Sequence, residues 1–245
     1  MSNINERVGS AAKWSIFTEI IVKIISPITN MILARILVPE EFGVVATVTM
    51  IVSFADIFTD AGFQKYVVQH QFKTKEDEDL SINVAFWTNI TISLLLWLFI
   101  FLFAEQIATA VGNPGLGRVI YIGAAILPMT SFSSIQAAIF RKNLNYKELS
   151  FIRIIVKFIP LVVTVPLALM KFSYWALIIG NIAGELCNTL LLTYFSTWKP
   201  HLIYRFDKLK EMLHFCMWSL METISSWLVT NSGIFVLGTL FSQYY

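Results

Sequence analysis

Ile90-Thr91-Ile92-Ser93-Leu94-Leu95-Leu96-Trp97-Leu98-Phe99-Ile100-Phe101-Leu102-Phe103 is a belt of side chains without a single charge. Extended to residues 83–104, it is long enough for a hydrocarbon core of roughly 30 Å, which takes about 20 helical residues to cross. It is continuously apolar, whereas a strand of an outer-membrane barrel would alternate with a period of two over about ten residues. Similar stretches lie at about 14–37, 42–63, 117–140, 150–170, 173–196 and 212–241. Mean hydropathy is +0.68. Only 14% of the 245 residues are charged, against about a quarter in a soluble domain. The chain therefore reads as an all-α polytopic membrane bundle of about seven transmembrane helices. Its first stretch holds Glu19 and Lys23 and lacks a small-residue cleavage site, which argues against a cleaved signal peptide.

Charge between the stretches sets an orientation. With the N-terminus in the cytoplasm, the inside segments hold Arg7 and Lys13, then Lys65, Lys73 and Lys75. Further on they hold Arg141, Lys142, Lys147, Arg153 and Lys157, and finally Lys199, Arg205, Lys208 and Lys210. Fourteen of the 18 basic residues are then inside, and only Lys23, Arg35, Arg118 and Lys171 are not. The positive-inside rule makes the N-terminus cytoplasmic. These cations mark loops beside anionic headgroups and give nucleic acid no claim. Pro39 and Gly43 bracket a tight outer connection, and Lys171–Phe172 leaves almost no loop between the fifth and sixth crossings. Pro128, Pro160 and Pro166 predict kinks.

Polar side chains inside hydrocarbon are costly and so face a bundle interior or a wet cavity. The first crossing spaces Glu19, Lys23, Ser26 and Asn30 along one helical face. Its neighbour does the same with Thr49, Ser53, Asp56 and Asp60, and the sixth with Asn181, Glu185 and Asn188. The seventh presents Ser219, Glu222, Ser226 and Thr230. Glu19 and Lys23 are spaced to neutralise each other as an i,i+4 pair. Asp56 and Asp60 would repel at that spacing, so either a cation sits between them or one is protonated. Thr130, Ser131, Ser133 and Ser134 have the ordinary roles of bonding back to their helix or joining neighbours. Gly180 and Gly184 form a small-xxx-small pair suited to close helix packing.

No phosphate-binding glycine loop, nucleophile elbow or zinc motif is present, and no loop is long enough for a catalytic domain. Cys187 and Cys216 fall on different crossings and share no ligand spacing with His70, His201 or His214. The expectation is a non-enzyme with no catalytic residue, no metal site and no cofactor other than a coupling ion, proton or sodium.

The seventh stretch echoes the first: Trp14-Ser15-Ile16 aligns with Trp218-Ser219-Leu220, and a carboxylate follows in each (Glu19, Glu222). Parallel repeats of this kind build two-lobe transporters. Residues 1–205 are then expected to form a six-helix lobe. Residues 206–245 would supply the first helix of an incomplete second lobe, in a chain truncated after that helix.

The segment Ala34-Arg35-Ile36-Leu37-Val38-Pro39-Glu40-Glu41-Phe42-Gly43 joins the first two crossings. Together with Asp56-Ile57-Phe58-Thr59-Asp60-Ala61-Gly62-Phe63, Phe140-Arg141-Lys142 and Trp218-Ser219, it resembles the polysaccharide transporter branch of the multidrug/oligosaccharidyl-lipid/polysaccharide superfamily. The resemblance implies the N-terminal lobe of a MATE-like two-lobe flippase in the bacterial inner membrane. Such a protein moves undecaprenyl-diphosphate-linked oligosaccharide for O-antigen, lipopolysaccharide or exopolysaccharide assembly. Its partners would be that lipid-linked oligosaccharide, membrane lipids, and polysaccharide polymerase and glycosyltransferases. Lys23 and Arg35 are then the expected diphosphate cations, and Asn30, Asn181, Asn188 and the carboxylates the sugar contacts. Asp56 or Glu185 would couple to the ion gradient. Two alternatives stand beside this reading: a cation-coupled multidrug exporter of the same superfamily, and an inactive membrane fragment.

Overall fold

The computed structural model describes the backbone of residues 2–60 and 62–241 and the side chains of 9–59 and 62–229. Ten helices follow one another, and among the described residues there is no strand. They are α1 (Ser2–Leu33), α2 (Pro39–Asp60), α3 (Phe63–Gln69), α4 (Lys75–Leu102), α5 (Ala104–Ala110), α6 (Gly117–Gly123), α7 (Ile126–Lys142), α8 (Tyr146–Leu169), α9 (Tyr174–Phe195) and α10 (Phe206–Phe241). Among the described residues, six stretches are long and apolar enough to cross a membrane: Gly9–Leu33, Pro39–Thr59, Lys75–Leu102, Gly117–Lys142, Tyr146–Leu169 and Tyr174–Phe195. The chain is a polytopic all-α bundle. The expected seventh crossing falls on α10, and its part beyond residue 229, with Thr230, lies outside the described side chains.

Local chemistry moves several boundaries from where hydropathy alone puts them. α4 begins eight residues before the apolar run, because Thr74 Oγ1 accepts the Asp77 N–H at 3.2 Å. Glu76, Asp77 and Glu78 then occupy the first turn, where the helix dipole favours anions. At 28 residues α4 is about 42 Å long, longer than the hydrocarbon core by roughly 12 Å. The expected crossing 117–140 is split into α6 and α7 at Ala124–Ala125. Pro128 lacks the N–H that would bond the Ala124 carbonyl, and its ring clashes with that oxygen. The Ala124 carbonyl instead takes the Leu127 N–H at 3.0 Å in a tighter turn. Pro160 and Pro166 are accommodated within a continuous α8.

α1 packs along α8 through Ala11, Thr18 and Ile25, spaced by seven. α8 and α9 form the expected hairpin, turning at Lys171 and Ser173, both with positive φ. Gly180 and Gly184 make the close packing possible: a Cβ on Gly180 would stand 3.2 Å from Thr164 Cβ, and one on Gly184 3.0 Å from Pro160 Cγ. α7 sits between α4 and α9.

Gly62, at φ 87°, turns the chain from the end of α2 into the unforeseen α3, and its missing Cβ leaves room for Ser219 of α10. α10 lies against α2, α3 and α4. Its base is held by Lys208, 2.5 Å from Asp77 and 2.9 Å from Glu211. Hydrogen bonds to Asp77 and then Glu211 hold the Lys208 ammonium above its ordinary range. Further along α10, Trp227 meets Phe54 with ring centroids 5.5 Å apart.

Candidate functional site

The polar stripe of α9 faces that of α7, and this seam organises the interior. Glu185 Oε1 accepts from Ser133 Oγ at 3.1 Å and from Asn188 Nδ2 at 3.0 Å. One and two turns after Glu185 along α9, Thr189 Oγ1 donates to the Met129 carbonyl and Thr193 Oγ1 to Gln136 Oε1, both at 3.0 Å. On the other side of α7, Asn89 Nδ2 donates to Ser134 Oγ at 2.8 Å, joining α4 to the network. The hydroxyls of Thr130, Ser133 and Ser134 also bond back to their own helix. Ser133 and Ser134 therefore take both expected roles and Thr130 the first alone, while Ser131 Oγ is buried with no partner among the described residues.

Two cavities flank the seam and meet at Thr130, which lines both. The larger, about 440 Å³, lies among α1, α3, α7, α8 and α9. Three cations line it, Arg141 at the end of α7 and Arg153 and Lys157 one turn apart on α8, together with Glu19, Gln64 and Asn188. Arg141 Nη1 donates to Gln64 Oε1 at 3.0 Å. The smaller, about 270 Å³, lies among α2, α6, α7 and α9. Its polar lining is Thr49, Ser53 and Asp56 of α2, Thr130 and Asn181, and Asp56 is its one ionisable residue among the described side chains. Thr59 Oγ1 donates to Asp56 Oδ1 at 2.8 Å and fixes that carboxylate. A cation-lined chamber thus adjoins a mainly apolar one, walled by Val45, Val48, Val52, Leu127 and Ile178, into which three hydroxyls, the Asn181 amide and Asp56 are set.

The profile described as "Polysaccharide biosynthesis protein" matches residues 32–245, most of the chain. The chain belongs to this polysaccharide biosynthesis protein family. Succinoglycan biosynthesis transport protein ExoT of Rhizobium meliloti (strain 1021) is 25% identical over 224 residues, 91% of this chain and 44% of its own length. Lipopolysaccharide biosynthesis protein WzxC of Escherichia coli (strain K12) is 25% identical over 241 residues, 96% of this chain and 47% of its own. Teichuronic acid biosynthesis protein TuaB of Bacillus subtilis (strain 168) is 21% identical over 240 residues, 97% and 49% respectively. The chain spans about half the length of these curated relatives. No solved structure matches it.

In this member of the polysaccharide biosynthesis family, Glu19, Asp56, Asn181, Glu185 and Asn188 come to the seam and its cavities, together with the hydroxyls of Thr49, Ser53, Thr130, Ser133 and Ser134. Other residues singled out from sequence do not. Lys23 and Asn30 are exposed and line neither cavity, because α1 turns its buried edge, with Thr18 and Ile25, toward α8. Glu19 and Lys23 form no ion pair among the described residues, contrary to the pairing their spacing allowed. Arg35 sits in the turn after α1, exposed and away from both cavities. Glu222 is not in the interior stripe: its side chain is 72% exposed and lies 3.0 Å from Lys65 Nζ on α3. The Asp60 side chain lies outside the described residues. Sequence reasoning missed Arg141, Arg153 and Lys157 as cavity residues: it counted all three as topology signals and used Arg141 besides only in the family resemblance. Their one visible mark was the i,i+4 spacing of Arg153 and Lys157 inside an apolar run.

Proposed function

We propose that the protein is a flippase that carries a lipid-linked oligosaccharide across the bacterial inner membrane, with its N-terminus cytoplasmic. The observation that carries this reading is the cationic cavity, with Arg141, Arg153 and Lys157, which shares Thr130 with a mainly apolar cavity that also presents Thr49, Ser53, Asn181 and Asp56. Arg141, Arg153 and Lys157 would hold the diphosphate of an undecaprenyl-diphosphate carrier, and Asn188, Ser133, Asn181 and Thr49 would meet sugar hydroxyls. Arg guanidinium suits phosphate because it offers a planar fork of donors. Residues 1–205 form one lobe in this reading and α10 opens another. Asp56 or Glu185 binds the coupling proton or sodium ion. Polymerase and glycosyltransferases act on the same oligosaccharide before and after it crosses.

The names of the relatives support the class: each belongs to the synthesis of a polysaccharide, and ExoT is named a transport protein. A multidrug exporter for cations would need an acidic chamber with few basic groups, and the three cations of the larger cavity weigh against it. The test is complementation. The full-length gene product should restore surface polysaccharide to a strain lacking its own flippase, and Arg153→Ala should remove that rescue at unchanged membrane protein level. Rescue undiminished by Arg153→Ala would overturn the assignment of the diphosphate site. No rescue by the normally expressed, unaltered protein would favour a non-transporting membrane scaffold.

A further inference from the structure

The ten-residue connector between α9 and α10 is neither a loose loop nor part of either cavity. Asn83 Oδ1 of α4 accepts the His201 N–H at 2.7 Å, Trp87 Nε1 donates to the His201 carbonyl at 2.8 Å, and Thr88 Oγ1 and Tyr204 Oη are 3.0 Å apart. Trp198 packs its ring on Phe86, centroids 5.5 Å apart. Fixed in this way, the connector turns Leu202 and Ile203 outward, with Phe206 at the start of α10 beside them, 90%, 51% and 71% exposed. Large apolar side chains held rigidly outward in water would have no compensating partner.

Their depth supplies one. Along α4, the charged residues Lys75 to Asp79 give way to a charge-free, mainly apolar run that continues to Ala104, so Asn83, Trp87 and Thr88 stand near where the helix passes from headgroups into hydrocarbon. The connector is tied to that level by all three bonds. Lys199, Arg205 and Lys210, all exposed, flank the apolar trio. Trp and Tyr are the side chains that favour this boundary, and Trp87, Trp198 and Tyr204 are all present. We infer that the connector is an interfacial anchor: Leu202, Ile203 and Phe206 insert at the headgroup–acyl boundary, and Lys199, Arg205 and Lys210 hold anionic phospholipid there. The strand joining α9 to α10 would then be fixed to the lipid as well as to α4, and any movement of α10 would pivot about it.

The test uses an environment-sensitive fluorophore on Leu202→Cys in a Cys187→Ser background, with the same background lacking the new cysteine as blank. The full-length protein is placed in nanodiscs of phosphatidylcholine with phosphatidylglycerol, and Glu76→Cys, in the exposed first turn of α4, serves as the aqueous control. Strong quenching at position 202 by lipid spin-labelled near the headgroup, with little quenching by iodide, is the expected result. Strong iodide quenching at 202, equal to that at 76, would place the connector in water and overturn the inference. Protection from both quenchers would mean that protein covers the patch, and would equally overturn it. Arg205→Gln and Lys210→Gln should each lower the preference of spin-labelled phosphatidylglycerol over spin-labelled phosphatidylcholine about fivefold, the equivalent of about 1 kcal/mol. An unchanged preference would remove the anionic lipid from the proposal. Both leaflets of the nanodisc share one composition, so the readout is independent of transport and of orientation.

Discussion

The two cavities that meet at Thr130 share α7 and α9 as walls, yet one is lined by Arg141, Arg153 and Lys157 and the other has Asp56 as its one ionisable residue among the described side chains. The difference comes from which helices supply these side chains, α7 and α8 for the cations and α2 for the acid. Arg153 and Lys157 lie about 10 Å and about 16 Å along α8 from Tyr146, on stems long enough to reach toward the helix end. Asp56 lies about 6 Å from the last residue of α2, and its short side chain is fixed by Thr59 of the same helix. Long cations can therefore furnish a chamber from one helix, while the acid is held in place by a hydroxyl beside it.

That contrast can be broken most severely by reversing the charge of the larger cavity. Arg153→Glu with Lys157→Glu should reduce polysaccharide export on the order of a hundredfold or more, because two charge-assisted bonds of about 1.5–3 kcal/mol each are lost. Export assayed against membrane protein level checks this, and retained export would detach the cations from function. Both cavities depend on the α8–α9 hairpin, so Gly180→Leu, which drives a side chain into Thr164, should cost about 1–3 kcal/mol. Thermal unfolding in detergent reads that loss. Glu185→Leu removes the acceptor between Ser133 and Asn188 and should cost about 1 kcal/mol, the usual worth of such a bond between membrane helices. An unchanged midpoint would show that Glu185 adds nothing to the stability of the seam. Lys23→Ala should leave export within about twofold of the parent, since an exposed side chain outside both cavities has no phosphate to lose. Least affected is Glu222→Gln: the exposed pair with Lys65 should contribute under about 1 kcal/mol.

Much of the architecture was legible along the chain. Apolar runs located the crossings, Lys171–Phe172 announced the α8–α9 hairpin, and Gly180 with Gly184 announced its tightness. The split of α6 from α7 was half legible, since Pro128 predicted a kink but not two helices. Thr74 followed by Glu76, Asp77 and Glu78 was a start signal that hydropathy overlooked. Within the site, the α9 stripe stood out because amides and a carboxylate are rare in hydrocarbon. The first-helix stripe was equally conspicuous, and only its Glu19 reaches the larger cavity. Glu222 mimicked an interior carboxylate through its place in a long apolar helix, yet it pairs with Lys65 at the surface.

Class and span positions were determined by the sequence alone, because hydrocarbon leaves the backbone no partner but its own helix, a requirement met one segment at a time. Which stripes meet was decided only by tertiary structure. Packing α1 on α8 and α7 on α9 joins residues more than 50 positions apart, such as Ser133 and Glu185. It also turns cations that read as loop markers into the lining of a chamber, and no local property of the chain encodes that rotation.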